Sequence, residues 1–70
     1  ELDLLLLRGG KRYGVEVKHA DAPRLTKSMA IAQHDLGLER LFVVYPGNEA
    51  YPLGKRALAL GLPELLQQLA

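Results

Sequence analysis

Two adjacent glycines, Gly9 and Gly10, constrain the fold of this chain more than any other feature of its sequence. Leu2 to Arg8, before them, is rich in leucine. Lys11 to Lys18, after them, alternates with the period of two that is typical of a β-strand. A Gly-Gly pair between two such runs predicts a β-hairpin at the start of the chain.

The length of the turn decides which side chains share a face of this hairpin. A two-residue turn places Asp3 opposite Glu16 and Glu1 opposite Lys18, and directly opposed side chains lie on the same face. A four-residue loop keeps that register, whereas a three-residue loop puts Asp3 and Glu16 on opposite faces. The first register gives one charged face and one core face, and the core face carries Leu2, Leu4, Leu6, Tyr13, Val15 and Val17.

A helix is predicted after the hairpin. Asp21 is a suitable N-cap for it, and Pro23 suits its first turn. Gly37 is a typical residue at a helix end. The apolar stripe that defines the helix has helical spacing and consists of Leu25, Met29, Ala32 and Leu36.

The rest of the chain predicts a mixed sheet. Leu41 to Tyr45 is a short apolar run typical of a buried strand, and residues 48–55 are interpreted as a loop. Residues 56–60 fit a further strand, although their alanines and leucines also fit a helix. A last amphipathic helix follows at Pro63, with Leu62, Leu65, Leu66 and Leu69 on one face. The predicted fold is α/β, in the order β-β-α-β-β-α, with helices packed on a mixed sheet and one parallel pairing across the helix.

Length and composition limit the classes of protein to which the chain can belong. Its 70 residues fit a single domain (residues 1–70) near the lower size limit for a self-sufficient core. The sequence begins within a strand-like run and without methionine, so we expect a fragment of a longer protein. It contains no cysteine and no apolar run of membrane-spanning length, which predicts a cytoplasmic domain without a membrane partner. The net charge of +1 does not require a nucleic-acid partner.

The charged face of the hairpin is the candidate site. Opposed carboxylates such as Asp3 and Glu16 repel each other, so they need a counter-charge from Lys18, a bound cation or solvent. A pair of carboxylates suits Mg²⁺, and a nearby lysine can orient a metal-bound water or stabilise developing charge. This arrangement indicates metal-assisted hydrolysis of a phosphodiester. The alternative is an ordinary charged surface with weak ion pairs. Asp3 argues against that alternative, because it interrupts a strand with leucines on both faces.

The pattern of Glu-Leu-Asp at 1–3, a hairpin, and Glu-Val-Lys at 16–18 before a helix resembles the PD-(D/E)xK nuclease core. More narrowly, the chain resembles the C-terminal DUF4143 domain of bacterial and archaeal AAA-type ATPases. The resemblance extends to the strand Leu-Phe-Val-Val-Tyr and the closing helix Leu-Pro-Glu-Leu-Leu.

This resemblance implies a restriction-endonuclease-like fold and an ATPase module on the N-terminal side. It implies that Asp3 and Glu16 bind Mg²⁺ or Mn²⁺ together with the backbone carbonyl of Val17. Lys18 would be the catalytic lysine, acting on a nucleic acid, and Gln33 matches a glutamine that some of these nucleases carry.

A second function remains open from the residues alone. The fold could serve as a non-catalytic module that binds a nucleic acid or a protein. His19 is interpreted as a loop residue and His34 as solvent-exposed. Most of the other lysines and arginines are scattered along the sequence and are interpreted as surface charge.

Overall fold

The computed structural model describes residues 2–70, which form a mixed five-stranded sheet with a helix against each face. The strand order is β1-β2-β3-β5-β4. The pairs β1–β2 and β4–β5 are antiparallel, and the pairs β2–β3 and β3–β5 are parallel. The elements are β1 (Leu4–Arg8), β2 (Lys11–Val17), α1 (Lys27–Asp35), β3 (Leu38–Val44), β4 (Tyr51–Gly54), β5 (Ala57–Leu60) and α2 (Leu62–Leu69). The predicted mixed α/β architecture is confirmed.

The hairpin has the predicted two-residue turn. Gly9 and Gly10 have φ angles of 59° and 76°. Two successive positive φ angles are characteristic of a type I′ turn, which glycine adopts without steric strain. The turn sets the expected register, in which Arg8 pairs with Lys11 and Leu4 with Val15.

The ladder between β1 and β2 does not include the first residues of the chain. The prediction that Leu2 shares a face with Val15 is therefore wrong. Asp3 lies outside β1, and its N–H donates to the carbonyl of Val15 at 3.1 Å. The alternation of faces breaks at this bend, so Leu2 packs with the cluster beneath α1 instead of with the face that carries Val15. Gly14 provides the space: a Cβ there would lie 2.9 Å from Leu2 Cδ1. Glu1, predicted to face Lys18, lies outside the described residues.

The helix α1 begins later than predicted. Its N-cap is Thr26 instead of Asp21, because the Thr26 hydroxyl accepts a hydrogen bond from the Met29 N–H at 3.1 Å. Pro23 is not in the first turn: it is buried in the preceding loop, where its carbonyl accepts from the Tyr51 hydroxyl at 2.9 Å. Gly37 follows the end of the helix with a φ of 61°, as expected of a C-terminal glycine.

We expect the cap of α1 to make a measurable contribution to stability. Thr26→Ala removes the hydroxyl that accepts from the Met29 N–H, and loss of such a cap typically costs about 1 kcal/mol. Urea denaturation followed by circular dichroism measures this loss, and Thr26→Ser, which keeps the hydroxyl, is the control. Equal stability of Thr26→Ala and the unmodified chain would contradict a capping role.

A strand occupies part of the segment predicted to be a loop. Tyr51–Gly54 forms β4 at the edge of the sheet, antiparallel to β5, which gives the observed order β-β-α-β-β-β-α. Proline has no N–H to donate to a neighbouring strand. An edge strand tolerates Pro52 because one of its two sides has no pairing strand and so needs no donor. The ambiguity at residues 56–60 is also resolved, since Ala57–Leu60 is the strand β5.

The core has two layers, one on each side of β3. Alternate residues of this strand point into opposite layers, so the strand is buried on both faces, as its continuous apolar run predicts. The layer under α2 contains Val15, Phe42, Val44, Leu60 and Leu65. The layer under α1 contains Met29, Leu38, Leu41, Val43 and Ala57. Within residues 2–70, no helix is long and apolar enough to cross a membrane.

Candidate functional site

Glu16 and Lys18 form an ion pair at the carboxyl end of β2. Their Oε2 and Nζ atoms are 3.3 Å apart. The two residues are separated by one position in an extended chain, so their side chains leave the same face of the sheet. The Lys18 N–H donates to the carbonyl of Val44 at 2.8 Å, which extends the parallel ladder past the end of β2. The backbone of this pair is therefore fixed by the central strand β3.

The Glu16 carboxylate is largely removed from solvent. Its side chain is 12% exposed, whereas that of Lys18 is 41% exposed. The second oxygen, Oε1, is buried and has no hydrogen-bond partner within residues 2–70. A buried carboxylate oxygen without a partner is energetically costly unless a cation or a water satisfies it.

Asp3 joins this cluster through the backbone instead of through its predicted ladder position. Its Oδ2 accepts a hydrogen bond from the Val17 N–H at 2.7 Å, which is short, as expected for a charged acceptor. The carboxylate thereby takes the place of a backbone acceptor at the point where β1 ends. Because the N–H and C=O of one strand residue point to the same side, the Val17 carbonyl also faces the side on which Asp3 lies.

The predicted site residues are thus gathered at one place, although not in the predicted arrangement. Glu16 and Lys18 contact each other directly, and Asp3 lies against the Glu16–Val17 peptide unit. Within residues 2–70, no group of three or more His, Cys, Asp or Glu side chains could hold a metal ion. The side chains available here are two carboxylates, with the backbone carbonyl of Val17 beside them.

Two other residues singled out by sequence lie elsewhere. Gln33 donates from Nε2 to the carbonyl of Arg56 at 2.9 Å, at the end of the sheet where β5 begins. It therefore does not belong to the acidic cluster. His34 is exposed, as predicted, and its Nδ1 lies 3.5 Å from Asp35 Oδ1.

A hollow of about 340 Å³ opens beside the cluster, and the sequence did not predict it. Its walls are the carboxyl ends of β2 and β3 and the first turn of α2, including Lys18, His19, Gly47 and Pro63. Ligands of open α/β sheets bind at the carboxyl ends of the strands. The hollow therefore gives a ligand access to Lys18. The sequence feature that could have indicated this hollow is the pair of turn-rich segments that follow β2 and β3.

Comparison with known proteins identifies a matching family model and mycobacterial relatives of the chain. The model of the family described as "Domain of unknown function (DUF4143)" matches residues 1–65. An uncharacterised protein of Mycobacterium bovis and one of Mycobacterium tuberculosis are each 39% identical to the chain over 66 residues. These matches cover 94% of this chain and 15% of each mycobacterial protein, so the chain spans about 15% of the length of these relatives. No solved structure matches the chain.

Proposed function

The chain belongs to the DUF4143 family, and from this premise we propose that it is a nuclease-like domain that binds Mg²⁺ or Mn²⁺ at its acidic cluster. Asp3, Glu16 and the carbonyl of Val17 would hold the cation, and Lys18 would assist hydrolysis of a phosphodiester in a nucleic acid. The observation that carries the proposal is the buried, unpartnered Oε1 of Glu16.

The donor set fits a hard divalent cation. Mg²⁺ is commonly bound through one or two carboxylates, with waters and substrate phosphate oxygens completing its shell. Glu16 Oε1 is free of protein donors in the described structure, and a cation bound to it would remove the cost of its burial. Asp3 accepts one hydrogen bond through Oδ2, which leaves the rest of its carboxylate available.

The bound cation, Glu16 and Lys18 would then have separate roles in the reaction. A bound divalent cation lowers the pKa of its water and stabilises negative charge on a phosphate oxygen. Glu16 holds the Lys18 ammonium in place through the contact of 3.3 Å. From this position Lys18 can donate to the attacking water or to the developing negative charge on the phosphate.

The topology supports a restriction-endonuclease-like arrangement for the proposed domain. An antiparallel hairpin carries the acids, and the helix α1 then connects β2 to the parallel neighbour β3. We further propose that the domain acts in the cytoplasm and belongs to a larger protein with an N-terminal ATPase module. The match to 15% of each mycobacterial relative supports membership in a larger protein.

Metal titration tests the proposal directly. We expect Mn²⁺ to cause NMR line broadening that is centred on Asp3, Glu16, Val17 and Lys18. Glu16→Gln removes one anionic ligand and should weaken Mn²⁺ binding by about tenfold or more, measured by calorimetry. Glu39→Gln is the matched control, because it makes the same change near Lys11 at the other end of β2. Equal affinities for Glu16→Gln and Glu39→Gln, or broadening scattered over the surface, would disprove the metal site.

A second candidate is a non-catalytic interaction module that retains the nuclease shape. It is favoured by the structural contacts of the acids, since Glu16 pairs with Lys18 and Asp3 bonds to the backbone of Val17. In this case the cluster stabilises the end of the hairpin and needs no cation. The same titration separates the two candidates, because this module predicts no Mn²⁺ isotherm that depends on Glu16.

A further inference from the structure

Most of the positively charged side chains lie at the end of the sheet opposite Glu16 and Lys18. The chain has nine lysines and arginines, and six of them lie at this end, although they are spread over most of the sequence. We call these six the basic end: Arg8, Lys11, Arg12, Arg40, Lys55 and Arg56. All six are exposed. The near-neutral net charge therefore conceals a concentration of basic side chains at one end of the domain.

The strand registers place these cations in a row. Arg8 pairs with Lys11 across the hairpin turn, and Tyr13, next to Arg12, pairs with Arg40. The Leu41 N–H donates to the carbonyl of Arg56 at 2.7 Å, so Arg56 lies beside Arg40. The row thus crosses all five strands, a distance of about 19 Å at roughly 4.8 Å per strand spacing.

Half of the basic end is already engaged in stabilising the fold. The Arg8 guanidinium donates to the Leu69 carbonyl, and Arg12 donates to the Leu36 carbonyl at 3.0 Å. Both carbonyls lie at helix C-termini, where a positive charge is favourable. Lys11 lies 4.0 Å from Glu39.

The other half has no such role in the described structure. Within residues 2–70, no carboxylate lies within 4.0 Å of the charged groups of Arg40, Lys55 or Arg56. Clustered like charges destabilise a compact domain. A negatively charged partner would relieve this repulsion.

Two hollows border the row, one on each face of the sheet. A hollow of about 210 Å³ lies beside α2 and is lined by Arg8, Arg40 and Gln68 among others. A second, of about 390 Å³, lies beside α1 and is lined by Gln33, Lys55 and Arg56 among others. Charged donors therefore border a recess on both sides of the strand ends.

We propose that the basic end binds the sugar-phosphate backbone of a nucleic-acid duplex. Four of its six cations are arginines, whose planar guanidinium groups bind phosphate oxygens in a bidentate manner. Along the axis of a DNA duplex each strand carries one phosphate about every 3.4 Å, so a row of about 19 Å lies alongside roughly five base-pair steps. An extended row of charge matches this regular polyanion better than it matches one or two carboxylates of a protein partner.

This surface is separate from the proposed metal site and does not rest on it. The two lie at opposite ends of β3, about 20 Å apart for a strand of seven residues. Binding at the basic end leaves the Glu16–Lys18 cluster open. Loss of metal binding on Glu16→Gln and loss of duplex binding on changes at the basic end are therefore independent results.

Salt-dependent binding of a fluorescein-labelled DNA duplex of mixed sequence tests the proposal by fluorescence anisotropy. Arg40→Gln combined with Arg56→Gln removes two phosphate contacts and spares the arginines that bond to the helix ends. We expect the affinity at low salt to fall about tenfold or more. The slope of log affinity against log salt should decrease by about 1.8, or about 0.9 for each lost contact.

Arg24→Gln combined with Lys27→Gln is the matched control, since it removes the same charge near the start of α1. The control should change the affinity by less than about twofold. Equal losses in the two double variants would overturn the proposal, as would absence of duplex binding by the unmodified chain. A poly-glutamate peptide that binds as tightly as the duplex would overturn it in favour of an acidic protein partner. Circular dichroism of both variants verifies that the fold is intact.

Discussion

Lys18→Met should reduce metal-dependent cleavage of DNA by about a hundredfold or more, according to the proposed function. Methionine keeps most of the length of the side chain but removes the ammonium group that would stabilise charge in the transition state. Removal of one such donor typically lowers kcat by about 10²–10³. Cleavage is measured with a supercoiled plasmid and Mn²⁺, and Asp3→Ala should abolish it as well.

The control for this experiment is Lys27→Met, which removes an exposed lysine in the first turn of α1. It should leave the cleavage rate unchanged. Thermal unfolding of each variant shows whether the fold survives, since Lys18→Met also leaves the Glu16 carboxylate without its partner. Cleavage by Lys18→Met and by Asp3→Ala at the rate of the unmodified chain would eliminate the nuclease proposal. An unmodified chain that binds Mn²⁺ but cuts no substrate would favour the non-catalytic module.

Leu60→Ala should lower the free energy of unfolding by about 2–5 kcal/mol, the range for truncation of a buried leucine. Leu60 is 0% exposed and packs between the sheet and α2 with Phe42 and Leu65. A domain of this size has a total stability of only about 4–10 kcal/mol, at roughly 0.05–0.15 kcal/mol per residue. The variant is therefore expected to lose about half of its stability and to unfold at a much lower urea concentration, as measured by urea denaturation followed by circular dichroism.

Leu66→Ala is the matched control, because it makes the same change at a leucine of α2 that is 60% exposed. Its effect should stay within about 0.5 kcal/mol, as is usual for surface substitutions. A loss for Leu60→Ala as small as that for Leu66→Ala would show that α2 does not pack on the sheet as described.

Local features of the sequence were sufficient to predict the hairpin. Gly9 and Gly10 define both the turn and the register, and these depend only on neighbouring residues. The edge strand β4 was missed because Tyr51–Gly54 contains Pro52 and Gly54, which are both typical of loops. It becomes a strand through pairing with β5, a tertiary interaction that overrides the local preference. The cap of α1 was misplaced because Asp21 and Thr26 are both favourable N-cap residues, and aspartate ranks above threonine by residue type alone.

The site was predictable to the extent that it depends on strand alternation. Glu16 and Lys18 share a face because they are two residues apart in β2. The contact of Asp3 with the Val17 N–H was not predictable, since it arises where the chain leaves the ladder. The basic end was not predictable either. Arg8, Arg40 and Arg56 are far apart in sequence, and their juxtaposition follows from the strand order β1-β2-β3-β5-β4.

The parallel pairing of β2 with β3 determines how this domain folds as well as its final shape. The hairpin closes through a two-residue turn and forms within microseconds when its strands meet. Pairing of β2 with β3 requires residues 18–37 to bring distant parts of the chain together, at a cost in loop-closure entropy that is recovered only when α1 packs. Folding rates fall as native contacts become more distant in sequence. We therefore expect the closure of this crossover, and not the formation of the hairpin, to limit the folding rate of the domain.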